Sequence, residues 1–316
     1  MITSRIDAVT MIAPERRNAI APAPKAVKIE ISPRCNYRCG FCALRTREVQ
    51  PKWDMDYALF QRATRQMRDA GVEEIGLFYL GESFINPYLL IECCRWAKQE
   101  LGFPYVFLTS NASMAFPEAV EKLMLLGLDS LKWSVNAADA EQFERIMGVK
   151  GALFERALEN IESAWHVRNV GEFKTGLYAS SIQYDDAQRA RMEKLIADRV
   201  LPFVDEHYWL PLYSMGAFAT QREAELGYRP TAGNQGRLGV LRDPLPCWSA
   251  FTEGHLTADG KLSACCFDAN ANWTMGDLTQ QTFMEAWNSE KFVALREAHL
   301  RRDVRGTPCE SCVAYA

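Results

Sequence analysis

The sequence has no excess of positive charge, no long apolar run, no internal repeat and no low-complexity tract. Lys and Arg number 36 against 40 Asp and Glu, a formal net charge of −4. No bulk positive field therefore argues for nucleic acid or a membrane surface as partner. No apolar stretch reaches the roughly 18–20 residues that a bilayer-spanning helix needs. The first 24 residues are rich in Ala and Pro and broken by charges. They lack the apolar core of a secretory signal and are expected to form a flexible N-terminal arm. The chain is therefore expected in the cytoplasm, among reducing thiol pools.

Against those absences stand ten cysteines in 316 residues. In a reducing compartment, grouped cysteines more often bind metal or do chemistry than form disulfides. They fall in three groups: Cys35, Cys39 and Cys42; the pair Cys93 and Cys94; and Cys247, Cys265, Cys266, Cys309 and Cys312. Cys93 and Cys94 sit early on an expected helix, where a thiol behaves as a small packing hydrophobe.

From about residue 25 to 210, short β-rich runs alternate with helical ones. Ala26–Ile31, Glu74–Leu80, Tyr105–Thr109, Ser130–Val135, Lys174–Ser180 and Glu206–Leu210 read as strands. Helices are expected after Asp54 as cap, from Pro87, and over Pro117–Leu126, Ala140–Met147, Leu153–Val167 and Asp186–Val200. Six β-then-α units predict an α/β fold of parallel strands with right-handed crossovers. A doubly wound sheet and a partial barrel both fit this pattern. Residues 215–246 read as a bridging segment rich in Gly, Pro and charge. Beyond it, Asp259-Gly260 predicts a hairpin turn, and Thr282–Leu300 an amphipathic helix burying Phe283, Ala286, Trp287, Phe292 and Leu295.

The first cysteine group directly follows the first strand, at the strand end where parallel β/α folds bind ligands. Three thiolates spaced by three and two residues suit three irons of a [4Fe–4S] cluster, leaving the fourth iron open. A structural zinc site would need a fourth ligand, and none lies nearby in sequence.

This segment resembles the radical S-adenosylmethionine (SAM) superfamily, whose cysteine motif carries an aromatic residue just before the last cysteine. Phe41 fills that place. The resemblance implies a six-stranded partial (β/α) barrel and a SAM-binding [4Fe–4S] cluster on Cys35, Cys39 and Cys42. It also implies reductive cleavage of SAM to a 5′-deoxyadenosyl radical that abstracts a substrate hydrogen. Further marks follow in family order. Leu80-Gly81-Glu82-Ser83 stands where Gly-Gly-Glu-Pro is common, and implies contacts to the methionine amino group from Gly81, Glu82 and Ser83. Ser110-Asn111-Ala112 stands where Thr-Asn-Gly is common. Ser134 and Arg145, eleven residues apart, imply a pair for the SAM carboxylate, to which an Arg fork is suited.

In the tail, Cys247, Cys265, Cys309 and Cys312 could complete one closed [4Fe–4S] cluster or a zinc ribbon-like site. The tail resembles the auxiliary-cluster extension called SPASM, or its single-cluster form called twitch. That resemblance runs through Gly260-x4-Cys265, Gly276-Asp277-Leu278 and Ala286-Trp287-Asn288-Ser289 to Cys309-x-x-Cys312. It implies a second [4Fe–4S] cluster on the four cysteines; with the sequence ending at Ala316, the single-cluster form is expected. Cys266 is left over as a buried neighbour of the cluster, a replacement ligand, or a catalytic hydrogen-atom donor.

The domain organisation expected is an arm (1–24), a partial barrel (25–214), a bridge (215–246) and a small β-hairpin-plus-helix auxiliary-cluster domain (247–316). By resemblance, the substrate is oxidised with the auxiliary cluster as electron acceptor. Epimerisation or peptide modification with a Cys donor, and a zinc-stapled binding protein, are the alternatives. Peptide-modifying relatives often carry a module of about eighty residues before the barrel, whereas 34 residues precede Cys35 here. That favours a small polar substrate such as a sugar or aminocyclitol. Glu206, His207, Tyr208, Trp209 and Tyr213 are candidate pocket residues. A flavodoxin- or ferredoxin-type electron donor is the expected partner.

Overall fold

A computed structural model describes residues 1–46, 52–215, 220–268, 273–312 and 314. Six strands lie parallel and in sequence order: β1 (Ala26–Ile29), β2 (Glu74–Gly76), β3 (Tyr105–Ser110), β4 (Ser130–Ser134), β5 (Gly176–Gln183) and β6 (Glu206–Pro211). An N-terminal helix, α1 (Ile2–Val9), precedes them. The strands alternate with α2 (Tyr57–Asp69), α3 (Pro87–Arg95), α4 (Pro117–Leu125), α5 (Ala140–Met147), α6 (Ala152–Val170) and α7 (Asp186–Arg199). All six expected strands are present; five crossovers join them, with α5 and α6 both in the one between β4 and β5. β6 is a sheet edge and does not close onto β1, so the barrel is partial.

Beyond the bridge, which holds α8 (Thr220–Glu225), the tail continues the same sheet. After α9 (Ser249–Thr252), β7 (Glu253–Leu256) pairs parallel with β1. β8 (Lys261–Ser263) and β9 (Thr274–Asp277) follow antiparallel, giving the order β6-β5-β4-β3-β2-β1-β7-β8-β9. Gly260 turns the β7–β8 hairpin at φ +84°, a region that glycine enters without steric cost. One apolar core runs from Val27 and Ile75 to Leu256, Leu262 and Trp287, across barrel and tail alike.

Three expectations are corrected. Asp54 caps no helix. Asp56 does, accepting from the Leu59 N–H at 2.8 Å. Asp54 instead takes hydrogen bonds from Ser32, Arg34 and Asn86, fastening the chain after β1 to the loop after β2. The tail helix is two helices, α10 (Phe283–Trp287) and α11 (Glu290–Leu300). Asn288 leaves the helix to bond both the N–H and C=O of Ala21, and Ser289 caps α11. The five apolar residues expected to face inward, Phe283 through Leu295, are all buried.

The N-terminal arm is not loose. Its Ile2, Ile6 and Val9 fall at helical spacing, and α1 lies across the N-terminal ends of the barrel strands. Arg5 pairs with Glu74 at 2.6 Å and lies over the Tyr105 ring. Thr3 donates to Glu206, and Asp7 pairs with Arg237 at 2.7 Å. The Pro-rich stretch that follows is held by Trp287, whose indole N–H donates to the Pro22 carbonyl.

Candidate functional site

Alternation along the strands sorts the barrel's inner face into two levels. On β4, Ser134 opens toward the C-terminal end and Lys132 sits below it. Three cavities result.

The first, about 210 Å³, lies at the C-terminal ends of the strands. Cys35, Cys39, Cys42, Phe41, Gly81, Glu82, Asn111 and Ser134 all line it. Backbone bonds from Arg38 N–H to the Met147 carbonyl and from Gly40 N–H to the Ile146 carbonyl, each 2.8 Å, pin the cysteine loop to the end of α5. Gly81 is required by close approach: a Cβ there would stand 1.9 Å from the Ser32 carbonyl oxygen. Glu82 ties two loops together. Its carboxylate accepts from the Phe84 N–H, the Ser110 hydroxyl and the Asn111 N–H at 2.9–3.1 Å. Burial raises its pKa, and these three donors offset part of the rise.

Two expected SAM contacts do not line this cavity. Ser83 turns inward and donates to the Leu77 carbonyl at 2.7 Å. Arg145 donates to the Tyr228 hydroxyl at 2.9 Å and lies over that ring, so its fork is engaged beside the cavity rather than in it.

A second cavity sits among the tail cysteines. Cys247, Cys265, Cys309 and Cys312 line it together with His299, whereas Cys266 does not. The Cys247 N–H donates to His299 Nδ1 at 3.3 Å, which places the ring proton on Nε2, 3.3 Å from Cys309 Sγ. Burial lowers the His299 pKa to about 4, so the imidazole is neutral. Among the described residues, no three His, Cys, Asp or Glu side chains converge on a single-ion site. Cys35, Cys39 and Cys42 line the first cavity, and Cys247, Cys265, Cys309 and Cys312 the second. These thiolate donor sets fit iron–sulfur clusters.

Between the two lies the third cavity, about 230 Å³, in the barrel lumen. It shares Phe78 and Thr109 with the first cavity, and Asn234 and Phe267 with the second. Cys266 lines this lumen, as do Lys28, Lys132, Tyr208, Tyr213 and Glu253. Its N-terminal end is closed by Ile2, Arg5, Ile6 and Val9 of α1. Of the aromatic candidates, Tyr208 and Tyr213 reach it. His207 and Trp209 do not, because alternation turns them to the other face, where His207 bonds Ser181 at 2.9 Å. Glu206 is occupied by Thr3 at the strand's start.

Sequence reading missed five residues that build these sites. Tyr79 lines the first cavity and donates to the Cys265 and Asp268 carbonyls at 3.0 and 3.2 Å, joining barrel to tail. Glu253 stands at the start of β7, and Lys28 and Lys132 were hidden inside largely apolar strands. A lone charge within such a strand was the available signal. His299 had none. Cys93 and Cys94 are fully buried on α3, as packing requires.

The fold is a partial parallel barrel with cysteine-lined cavities at two places. The Radical SAM superfamily signature matches residues 29–168, and that of the iron–sulfur cluster-binding SPASM domain matches residues 247–313. The chain belongs to the radical SAM superfamily, with a SPASM domain at its C-terminal side. The radical SAM domain implies a [4Fe–4S] cluster and SAM, and the SPASM domain implies auxiliary iron–sulfur. A zebrafish (Danio rerio) SAM-dependent nucleotide dehydratase, RSAD2, is 33% identical over 115 residues, 35% of this chain and 30% of the relative. The chain spans less than half the length of the first curated relatives it matches. Among solved structures, BtrN in complex with AdoMet and 2-DOIA superposes at TM-score 0.58, 15% identity and 92% coverage of both chains. Streptococcus suis SuiB bound to the precursor peptide SuiA superposes at TM-score 0.66 and 15% identity, covering 94% of this chain and 71% of SuiB.

Proposed function

We propose that this enzyme oxidises a small polar substrate, of sugar or aminocyclitol kind, held in the lumen cavity. One observation carries the reading: the lumen shares walls with both cysteine-lined cavities. A substrate there is flanked by a hydrogen-abstracting site on one side and an electron-accepting site on the other. Cys35, Cys39 and Cys42 would hold the SAM cluster, and Cys247, Cys265, Cys309 and Cys312 the auxiliary one. When bound, these groups supply one-electron cleavage of SAM, hydrogen-atom abstraction and uptake of the substrate's second electron.

The protein's own contribution is position and exclusion. Gly81 lets the loop after β2 approach the backbone of Ser32 closely. Glu82 holds the loops after β2 and β3 at fixed spacing. Asn111 and Ser134 offer polar atoms to SAM, and Phe41 an apolar wall. Tyr79 keeps the tail site in register with the barrel. His299 donates toward Cys309, and a hydrogen bond to a ligand sulfur is one means of setting a cluster's potential. α1 shuts the lumen floor and keeps reactive species from solvent. Electrons would come from a flavodoxin- or ferredoxin-type donor in the cytoplasm. No described helix is long and apolar enough to cross a membrane.

A second reading is epimerisation with Cys266 as hydrogen-atom donor. Its support is that Cys266 lines the lumen apart from the other tail cysteines. One pair of variants separates the readings. For oxidation, Cys265→Ala loses oxidised product while 5′-deoxyadenosine is still released, and Cys266→Ala retains product. The reverse pattern, product lost only in Cys266→Ala and no net oxidation, sinks the oxidative reading.

A further inference from the structure

Charge in the lumen is almost balanced, and one residue breaks the balance. Lys28 of β1 pairs with Glu253 of β7 at 2.9 Å, and Glu253 also bonds His255 at 2.9 Å. Arg5 of α1 pairs with Glu74 of β2. Each of these cations thus has its own carboxylate. Lys132 of β4 has none among the described residues: its Nζ donates to the Ser180 hydroxyl of β5 at 3.2 Å and faces the Tyr208 ring of β6 at 5.8 Å. The other titratable groups around the lumen are Tyr105 of β3, Tyr213 and Cys266, none an anion at neutral pH without activation.

We propose that the substrate carries an acidic group, a carboxylate or a phosphate, and that Lys132 is the residue that receives it. The proposal rests on the lumen being the substrate cavity. A walled-in ammonium without a counter-ion is strongly disfavoured. Burial, and then the neighbouring charge of Lys28, pull the Lys132 pKa down to about 7. An entering anion supplies the missing partner and restores the ammonium. A neutral ligand cannot, so the cavity favours acids over their neutral counterparts. Glu253 does not compete for this role, because Lys28 and His255 already hold it; burial pushes its pKa up, but Lys28 and His255 outweigh that and hold it at about 2.

The test uses reconstituted protein labelled at lysine Cε with ¹³C, titrated by NMR alone and with sodium acetate, sodium phosphate or neutral erythritol. Loss of one signal in Lys132→Gln assigns the residue. The expected result is a midpoint near neutrality that acetate or phosphate raises by about one unit or more, a tenfold gain in proton affinity. Erythritol should leave it in place. A larger shift with acetate identifies a carboxylate, and with phosphate a phosphate. A midpoint unmoved by both anions, or moved equally by erythritol, overturns the proposal. So does an ordinary lysine midpoint in the protein without added anion. Should Lys132→Gln not fold, a single near-neutral lysine signal in the wild-type protein serves as assignment. Iron content and 5′-deoxyadenosine release are measured on the same samples. Their loss with the anion shift intact would sink the oxidoreductase reading and leave the anion site standing.

Discussion

Ala112 is held at φ +68°, in the left-handed region where a side chain costs about 1–2 kcal/mol. Its backbone is fixed there on both sides: its N–H donates to the Ser110 hydroxyl, and its carbonyl accepts from Asn160 at 2.7 Å. Ala112→Gly should therefore stabilise the protein by about 1 kcal/mol, offset slightly because the buried methyl group no longer packs against its neighbours. An upward shift in the urea midpoint checks this, and an unchanged or lower midpoint contradicts it. The resemblance to Thr-Asn-Gly pointed to this position, and the backbone geometry explains why glycine suits it. At this scale the cysteines were legible because their chemistry is rare and their spacing local. Tyr79 and His299 were not, because each acquires its role only from strands and helices far away in sequence, and Lys132 showed only as a lone charge within a largely apolar strand.

At the scale of elements, α1 behaves as part of the barrel. It buries Ile2, Val9 and the nearby Ile12, and burial of such side chains contributes about 1.5–3 kcal/mol each. Deleting residues 1–12 should lower stability by several kcal/mol, roughly the sum of those terms, while leaving cluster binding intact. Chemical unfolding together with iron analysis checks it; a truncated protein of unchanged midpoint would show that α1 is only lightly docked. Strand and helix positions in the barrel were readable from periodicity because each unit repeats one simple pattern. The arm was misread because composition spoke for a loop, while an eight-residue amphipathic stripe is stable only once packed. The tail helix was overextended for the complementary reason. Periodicity carries through Asn288-Ser289, and only the bond of Asn288 to Ala21 shows the break.

For the whole molecule, the lumen's excess base makes stability depend on pH. Lys132 titrates near 7 in the folded protein and near 10.5 when unfolded. Below about pH 7 both states hold the proton, and the penalty of the buried charge is complete. From there toward 10.5 the unfolded chain binds more protons, so this residue's contribution rises with pH, by at most about 1.4 kcal/mol per unit. Lys132→Met should flatten that rise when urea midpoints at neutral and mildly alkaline pH are compared. An identical slope in both proteins would refute a shifted Lys132. The continuous sheet was the feature least visible in sequence. Barrel and tail looked like separate units, yet β7 adds directly to β1, and that pairing sets the lumen between the two cysteine-lined cavities.

That two-site arrangement is tested most directly by counting iron and sulfide per chain after anaerobic reconstitution, in the wild type and in the Cys35→Ala/Cys39→Ala/Cys42→Ala variant. Two clusters of four irons predict about eight irons, falling to about four in the triple variant. About four irons in the wild type and none in the variant would contradict an auxiliary cluster, and with it the electron-accepting side of the lumen. Zinc without iron would contradict the account at its base.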